Sequence, residues 1–435
     1  MSFLEKQFKL QENHTTVKTE ILAGVTTFVT MGYIIFVNPD ILSKAGMPFG
    51  PVMVATCVSA ALATFLMAFL ANYPLALASG MGLNAFFTFS VVLNPDMNVG
   101  WEGALAAVFI EGVIFIILTL TKLRETIVNT IPKTLKIGIA SGIGLFITFI
   151  GLQGAGIVVG NPATLVGLGS IKNSFSIVLA LGGLILMVVL EHFKVKGSLL
   201  IGIATVTGVG IALGRVPLPE AIVATPPSLT PIFWHLDFSG LGDPNFWIIV
   251  FTFFFVDFFD TVGTLVGVCN RSGLLDEQGR LPRAKDALMA DAIGTVAGSI
   301  LGTSTVTTYV ESASGVAQGG RTGLTALVTG ILFLVAIFFS PIVGIVPSYA
   351  TSPALIIVGI YMMMGLRDLN YDDWTELTPA MLAFFMMALA YSIAIGIEFG
   401  IVSYVVIKIV SGKTKDVNVV LIGLALLFVI KELLA

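Results

Sequence analysis

Charge is scarce in this chain: only 11% of its 435 residues are Asp, Glu, Lys or Arg, where a soluble domain carries roughly 25%. That shortage excludes a water-facing surface over most of the molecule. Cysteine is nearly absent. Cys57 and Cys269 both fall in or beside apolar runs, which excludes a disulfide scaffold and leaves no metal-ligand spacing. Three histidines occur, His14, His192 and His235, and each reads as a loop residue, so none is placed to relay protons. The net charge of −4 and the lack of a basic patch exclude a nucleic-acid partner. Met1 to Glu20 is polar and amphipathic, without the apolar stretch or small-residue cleavage site of a signal peptide. Insertion into a bilayer is therefore expected to rely on the first spanning helix. Neither a nucleophile–base pair nor a metal cluster is evident, so the chain does not read as an enzyme, and no cofactor is implied.

Apolar residues are abundant, at 56% of the chain. They recur in runs near the roughly 20 residues that cross a bilayer. Spans are expected near 21–37, 52–71, 75–92, 102–120, 134–152, 175–190 and 198–214. A second set is expected near 246–268, 286–301, 304–318, 322–340, 352–366, 378–394 and 396–411. Between the sets runs a connection with Pro217, Pro219, Pro226, Pro227, Pro231 and Pro244. The chain thus divides into a first repeat, 1–218, a Pro-rich linker, 219–245, and a second repeat, 246–435. Two tandem repeats with an odd number of spans must be inverted relative to each other, a topology many secondary transporters share.

Loop charge orients the chain. Lys6, Lys9, Lys18, Lys122, Arg124, Lys133, Lys136, Lys194, Lys196, Arg271, Arg280, Arg283 and Lys285 fall on one side, against Lys44, Lys172 and Arg215 on the other. The positive-inside rule then places both termini in the cytoplasm of a multi-pass plasma-membrane protein. A further apolar run at 418–433 disturbs the count. If it spans, the C-terminus moves outside, or the pair 378–394 and 396–411 is a re-entrant hairpin. Gly396 and Gly400 supply a break for such a hairpin.

Two interrupted segments occupy matching places in the halves. One contains Gly80, Gly82 and Asn84; the other runs from Gly302 to Gly315 and contains Glu311. Paired interruptions of this kind point to a transporter's binding site, because irregular backbone survives at membrane depth only where protein or a polar ligand satisfies it. Thr303 to Val310 favours extended backbone, and Ser312 onward favours a half-helix whose start attracts polar ligand groups. Asn84 also has a plainer reading, an amide bonding helix to helix.

Span eight carries Asp257 and Asp260 at i and i+3, on one helix face. Each carboxylate would cost roughly 2.5–3.5 kcal/mol at the bilayer centre, so such groups usually face a polar cavity. Asp291 is expected behind them. Glu111 and Glu398 read as structural or water-facing, and Thr26, Thr27 and Thr30 as bonded to helix carbonyls. Carboxylates accept hydrogen bonds, so a ligand should present N–H donors. No Arg or Lys lies in these segments, which argues against an anion. Phe86, Phe87, Phe89, Phe253, Phe254, Phe255, Phe258 and Phe259 flank them; they could stack on a flat ring, although such stripes more often fill a core. A planar heterocycle with N–H and C=O edges fits.

The stretches Thr19–Phe28, Phe36–Pro39, Gly80–Phe87, Asp257–Leu265 and Gly302–Val316 together resemble the AzgA-like purine permeases of the nucleobase–cation symporter-2 family. The resemblance covers essentially the whole chain. It implies an all-α polytopic membrane protein with seven plus seven inverted spans and core and gate domains, in which spans three and ten each join a short strand to a half-helix. It implies proton-coupled uptake of adenine, guanine or hypoxanthine. The substrate positions would be Asn84, Asp257, Asp260 and Glu311, with the Val310 backbone at the ligand. Asp257, Asp260 and Glu311 would couple the proton. Thr264 stands where the related uracil branch has a histidine, so that residue's proton role does not carry over, and Thr264 joins Asp291 behind the site. The alternatives are a sodium-coupled nucleobase carrier, or a carrier of anions or other small solutes with the same fold. The lipid bilayer and a second copy of the chain are the remaining candidate partners.

Overall fold

The computed structural model describes residues 3–95, 97–121, 132–271 and 281–434. Lys122, Arg124 and Arg280 lie outside the described residues, as do the side chains of Phe259 and Arg271. The first half contains α1 (Phe3–Phe8), α2 (Val17–Met31), α3 (Ile34–Lys44), α4 (Phe49–Leu66), β1 (Leu77–Ser79), α5 (Met81–Ala85), α6 (Trp101–Thr121) and α7 (Lys133–Gly154). A hairpin of β2 (Val158–Asn161) and β3 (Leu165–Leu168) follows, then α8 (Phe175–His192) and α9 (Ser198–Ala212). The second half contains α10 (Pro244–Arg271), α11 (Ala284–Leu301), β4 (Val306–Thr308), α12 (Ser312–Ala317), α13 (Gly323–Ala336), α14 (Ser340–Gly344), α15 (Ser348–Met363), α16 (Trp374–Leu389), α17 (Ile393–Val410) and α18 (Val419–Leu434).

Every expected span falls on one of these elements, and eight helices among the described residues are long and apolar enough to cross a membrane. The chain is a multi-pass membrane protein of the seven-plus-seven inverted-repeat fold. Spans three and ten are a strand followed by a half-helix, β1–α5 and β4–α12. The first half-helix continues as a π-helical stretch, Phe86–Val92.

Several local features differ from the sequence reading. The β2–β3 hairpin was not expected in an otherwise helical chain; Asn161 Oδ1 accepts from Ala163 N at 2.8 Å and closes its turn. Span one is two helices, with Gly32 and Tyr33 between α2 and α3. His192 ends α8 rather than sitting in a loop. Gly396 and Gly400 do not break a helix. The interruption lies just before them, where Tyr391 takes a φ of 54° and the Ser392 hydroxyl accepts from Ile395 N at 3.4 Å to start α17. Both glycines are buried inside α17. A Cβ on Gly396 would lie 2.2 Å from Met387 Cγ, and one on Gly400 2.8 Å from Ala383 Cβ. Their small size lets α17 pack closely on α16, as small residues do where membrane helices meet. The apolar run at 418–433 forms a separate helix, α18, packed on α17.

Contacts divide the chain into two compact units. One comprises residues 1–120 and 153–354, the other 121–152 and 355–435. The first holds both interrupted spans. Its packing is reinforced by Glu20, fully buried on α2, which accepts from Arg321 N at 2.9 Å, Thr325 N at 3.2 Å and Thr325 Oγ1 at 2.6 Å. These contacts satisfy donors at the start of α13 that lipid could not. The second unit carries an ion cluster around a buried lysine: Lys408 Nζ lies 2.5 Å from Glu376 Oε1 and 3.0 Å from Asp416 Oδ2.

Candidate functional site

The two interrupted spans meet through their strands. Leu77 pairs with Thr308, Ala78 with Thr307 and Ser79 with Val306, antiparallel. Gly80 N donates to the Thr305 carbonyl at 2.9 Å and Tyr309 N to the Ala76 carbonyl at 3.0 Å, extending the ladder at both ends. Both strands are fully buried. Three residues per strand suffice because each strand satisfies the other's backbone, the condition for non-helical chain at membrane depth. The long helix α10 packs on β4, α5 and α12, which brings span eight against both interruptions.

Three polar side chains gather on this frame. Asn84, on α5, is fully buried; Ser304 Oγ donates to its Oδ1, and its Nδ2 has no acceptor among the described residues. Asp260, on α10, accepts from Thr307 Oγ1 of β4 at 3.3 Å. Glu311 stands at the start of α12, but its side chain does not cap that helix. It accepts instead from Tyr33 Oη at 2.5 Å. Val310, beside it, is 51% exposed although the strand before it is buried. Asp260 and Glu311 are near enough to interact electrostatically.

Asp257 and Asp260 share a helix face but take different partners. Thr261 Oγ1 lies 3.2 Å from Asp257 Oδ1 and 3.0 Å from Asp291 Oδ1. One hydroxyl carries one proton, so two fully buried carboxylates share this donor. Asp291, on α11, thus meets span eight through Thr261. Thr264, also on α10, is buried.

Phe86, Phe87, Phe253, Phe254, Phe255 and Phe258 are buried in the core. Phe86 and Phe253 meet edge to face with ring centroids 4.9 Å apart, and Phe115 stacks on Phe254 at 4.7 Å. Thr26 and Thr30 bond helix carbonyls, Thr26 to Leu22 at 2.8 Å and Thr30 to Thr26 at 3.0 Å.

Sequence reasoning passed over Tyr33, Ser304 and the buried Asn38. Asn38 Nδ2 donates to Thr56 Oγ1 at 2.7 Å and Thr303 Oγ1 at 2.9 Å. Thr303 Oγ1 lies 2.7 Å from Ser79 Oγ, so this network ties span one to both interruptions. A tyrosine and an asparagine inside the first apolar run were the available signal.

Among the described residues, no group of three or more His, Cys, Asp or Glu is arranged to hold a metal ion. The fold and this site define a membrane permease: inverted repeats, crossed spans broken at strands, and acidic groups where the breaks meet. The chain matches the Permease family over residues 18–428 and belongs to it. It is 45% identical to the adenine permease AdeP of Escherichia coli K12, over 98% of this chain and 95% of that one. It is likewise 45% identical to the guanine/hypoxanthine permease PbuG of Bacillus subtilis 168, over 97% and 98% of the two chains. The solved transmembrane domain of a cyanobacterium bicarbonate transporter, BicA, aligns with a TM-score of 0.66 at 16% identity, over 87% of this chain and 97% of that one. That likeness is one of fold.

Proposed function

We propose that this protein takes up purine nucleobases across the plasma membrane by proton symport, with both termini in the cytoplasm. The observation that carries the reading is the gathering of Asn84, Asp260 and Glu311 on the β1–β4 frame of a chain otherwise poor in charge. The names of the relatives at 45% identity support the substrate class. In this reading Asn84, Asp260, Glu311 and the Val310 backbone contact the base, with Asp257 close by, and Asp291 and Thr264 support them from behind. The repeats run over 1–218 and 246–435 around the linker 219–245.

Coupling follows from the acidic groups. One of Asp257, Asp260 or Glu311 takes a proton when the site faces outward. The base binds, the site turns inward, and both leave. Neutralising one carboxylate removes repulsion that would otherwise oppose closing the site around the base. Asp257 is the strongest coupling candidate, since it shares the Thr261 hydroxyl with Asp291. A proton added to that pair relieves the repulsion between two carboxylates that approach the same hydroxyl.

Uptake of labelled guanine and adenine into proteoliposomes tests this, with and without an imposed proton gradient and with sodium as the alternative driving ion. Gradient-driven accumulation is expected, and gradient-independent uptake would defeat the coupling. Glu311→Gln and Asp260→Asn should reduce uptake to background while the protein still inserts. Near-normal transport by either variant would remove that residue from the site. Asp257→Asn should keep base binding and lose the proton dependence.

A further inference from the structure

Relatives of equal identity carry 6-amino and 6-oxo purines by name, so resemblance does not separate the two for this chain. The hydrogen-bond polarity of the site does. We propose that Ser304 fixes the orientation of the Asn84 amide, so that the site prefers 6-oxopurines such as hypoxanthine and guanine over the 6-aminopurine adenine. This rests on the nucleobase reading above.

The argument is one of donors and acceptors. An asparagine amide has an accepting end and a donating end. Ser304 Oγ occupies the accepting end by donating to Asn84 Oδ1. The donating end, Nδ2, has no acceptor among the described residues, although the whole residue is buried. Buried polar groups in native proteins are nearly always paired, so an unmade bond at this position calls for a ligand atom that accepts. On the same frame, the carboxylates of Asp260 and Glu311 accept when ionised. The site therefore asks for an acceptor set beside N–H donors. A 6-oxopurine carries that pair, with its C6 oxygen next to N1–H. Adenine reverses both members on the same edge, with an amino group next to a bare N1.

A serine hydroxyl can also accept, so the amide could in principle turn over and offer Oδ1 to an amino group. Ser304 resists this. It is fully buried, and Asn84 is its hydroxyl's one hydrogen-bond partner among the described residues. With adenine bound, turning the amide would leave the Ser304 proton with no acceptor, whereas a bound 6-oxopurine leaves the Ser304 hydroxyl and the Asn84 amide both paired. The serine thus acts as a positioning residue: it need not touch the base to set which end of Asn84 does.

The test is equilibrium binding of labelled hypoxanthine to the purified full-length protein, displaced by unlabelled hypoxanthine, by purine (which lacks a C6 substituent) and by adenine. The expected order is hypoxanthine, then purine, then adenine, with adenine weaker than hypoxanthine by about tenfold or more. Ser304→Ala frees the amide to turn and should bring the adenine-to-hypoxanthine ratio to within about threefold, whereas Ser304→Thr keeps a hydroxyl and should preserve it. A ratio unchanged in Ser304→Ala, or adenine binding as tightly as hypoxanthine to the unaltered protein, would overturn the proposal. The ligand series on the unaltered protein decides the question even where the variant does not fold. Binding of none of the three bases would overturn the broader nucleobase reading instead.

Discussion

Tyr33 donates to Glu311 Oε1 at 2.5 Å, so one carboxylate oxygen has a partner before any ligand arrives. Hydrogen bonds to ionised groups contribute about 1.5–3 kcal/mol each. Losing the tyrosine hydroxyl should therefore loosen Glu311 without removing its charge. Tyr33→Phe is expected to raise the KM for purine uptake by about ten- to a hundredfold, with maximal rate changed less. Uptake kinetics at matched membrane abundance measure this, and an unchanged KM would detach Tyr33 from the site. Asn84, Asp260 and Glu311 were legible in the sequence because a polar side chain in an apolar run has few plain explanations. Tyr33 and Ser304 were not. Each is an ordinary side chain until folding brings it against a residue more than 200 positions away, 278 for Tyr33 and 220 for Ser304.

Among the elements, the half-helices depend on close packing. A Cβ on Gly315 of α12 would lie 2.1 Å from Thr27 Oγ1 and 2.7 Å from the Ala23 carbonyl oxygen of α2. Backbone cannot yield as a flexible side chain can, so Gly315→Ala should cost about 1–3 kcal/mol. It should also lower the thermal midpoint in detergent; an unchanged midpoint would mean that α12 shifts freely against α2. At the start of α16, Thr375 and then Lys413 bond the Asp373 carboxylate and hold it well below the usual carboxylate range. Its stabilising contribution is complete above the ordinary range near pH 4 and fades only as pH falls through the lower folded value. Asp373→Asn should therefore destabilise the protein at pH 7 and make little difference in strong acid, as thermal unfolding across pH would show. Helix positions were readable from apolar runs, but the meaning of Gly396 and Gly400 was not. A glycine that ends a helix and a glycine that admits a neighbour look alike until the neighbour is in place.

For the whole molecule, the limit on uptake is set by the driving force. One proton moving down 100 mV supplies about 2.3 kcal/mol. At about 1.4 kcal/mol per tenfold, that supports roughly 50-fold accumulation of base. Proteoliposomes with a potassium-diffusion potential should approach this ratio for a one-proton stoichiometry. Accumulation well beyond it, with no pH difference across the membrane, would require more than one proton per base.

Composition and periodicity alone determined that this chain lives in a bilayer and where its two halves are interrupted, because lipid penalises charge and unpaired backbone wherever they occur in the sequence. Tertiary structure alone decided which polar groups act together. Asp257 and Asp260 are three residues apart, yet one faces Asp291 through Thr261 and the other faces Thr307 on a strand from the second half. Hydrogen bonds reach only about 3 Å, so their pattern belongs to the packed chain and not to the order of its residues.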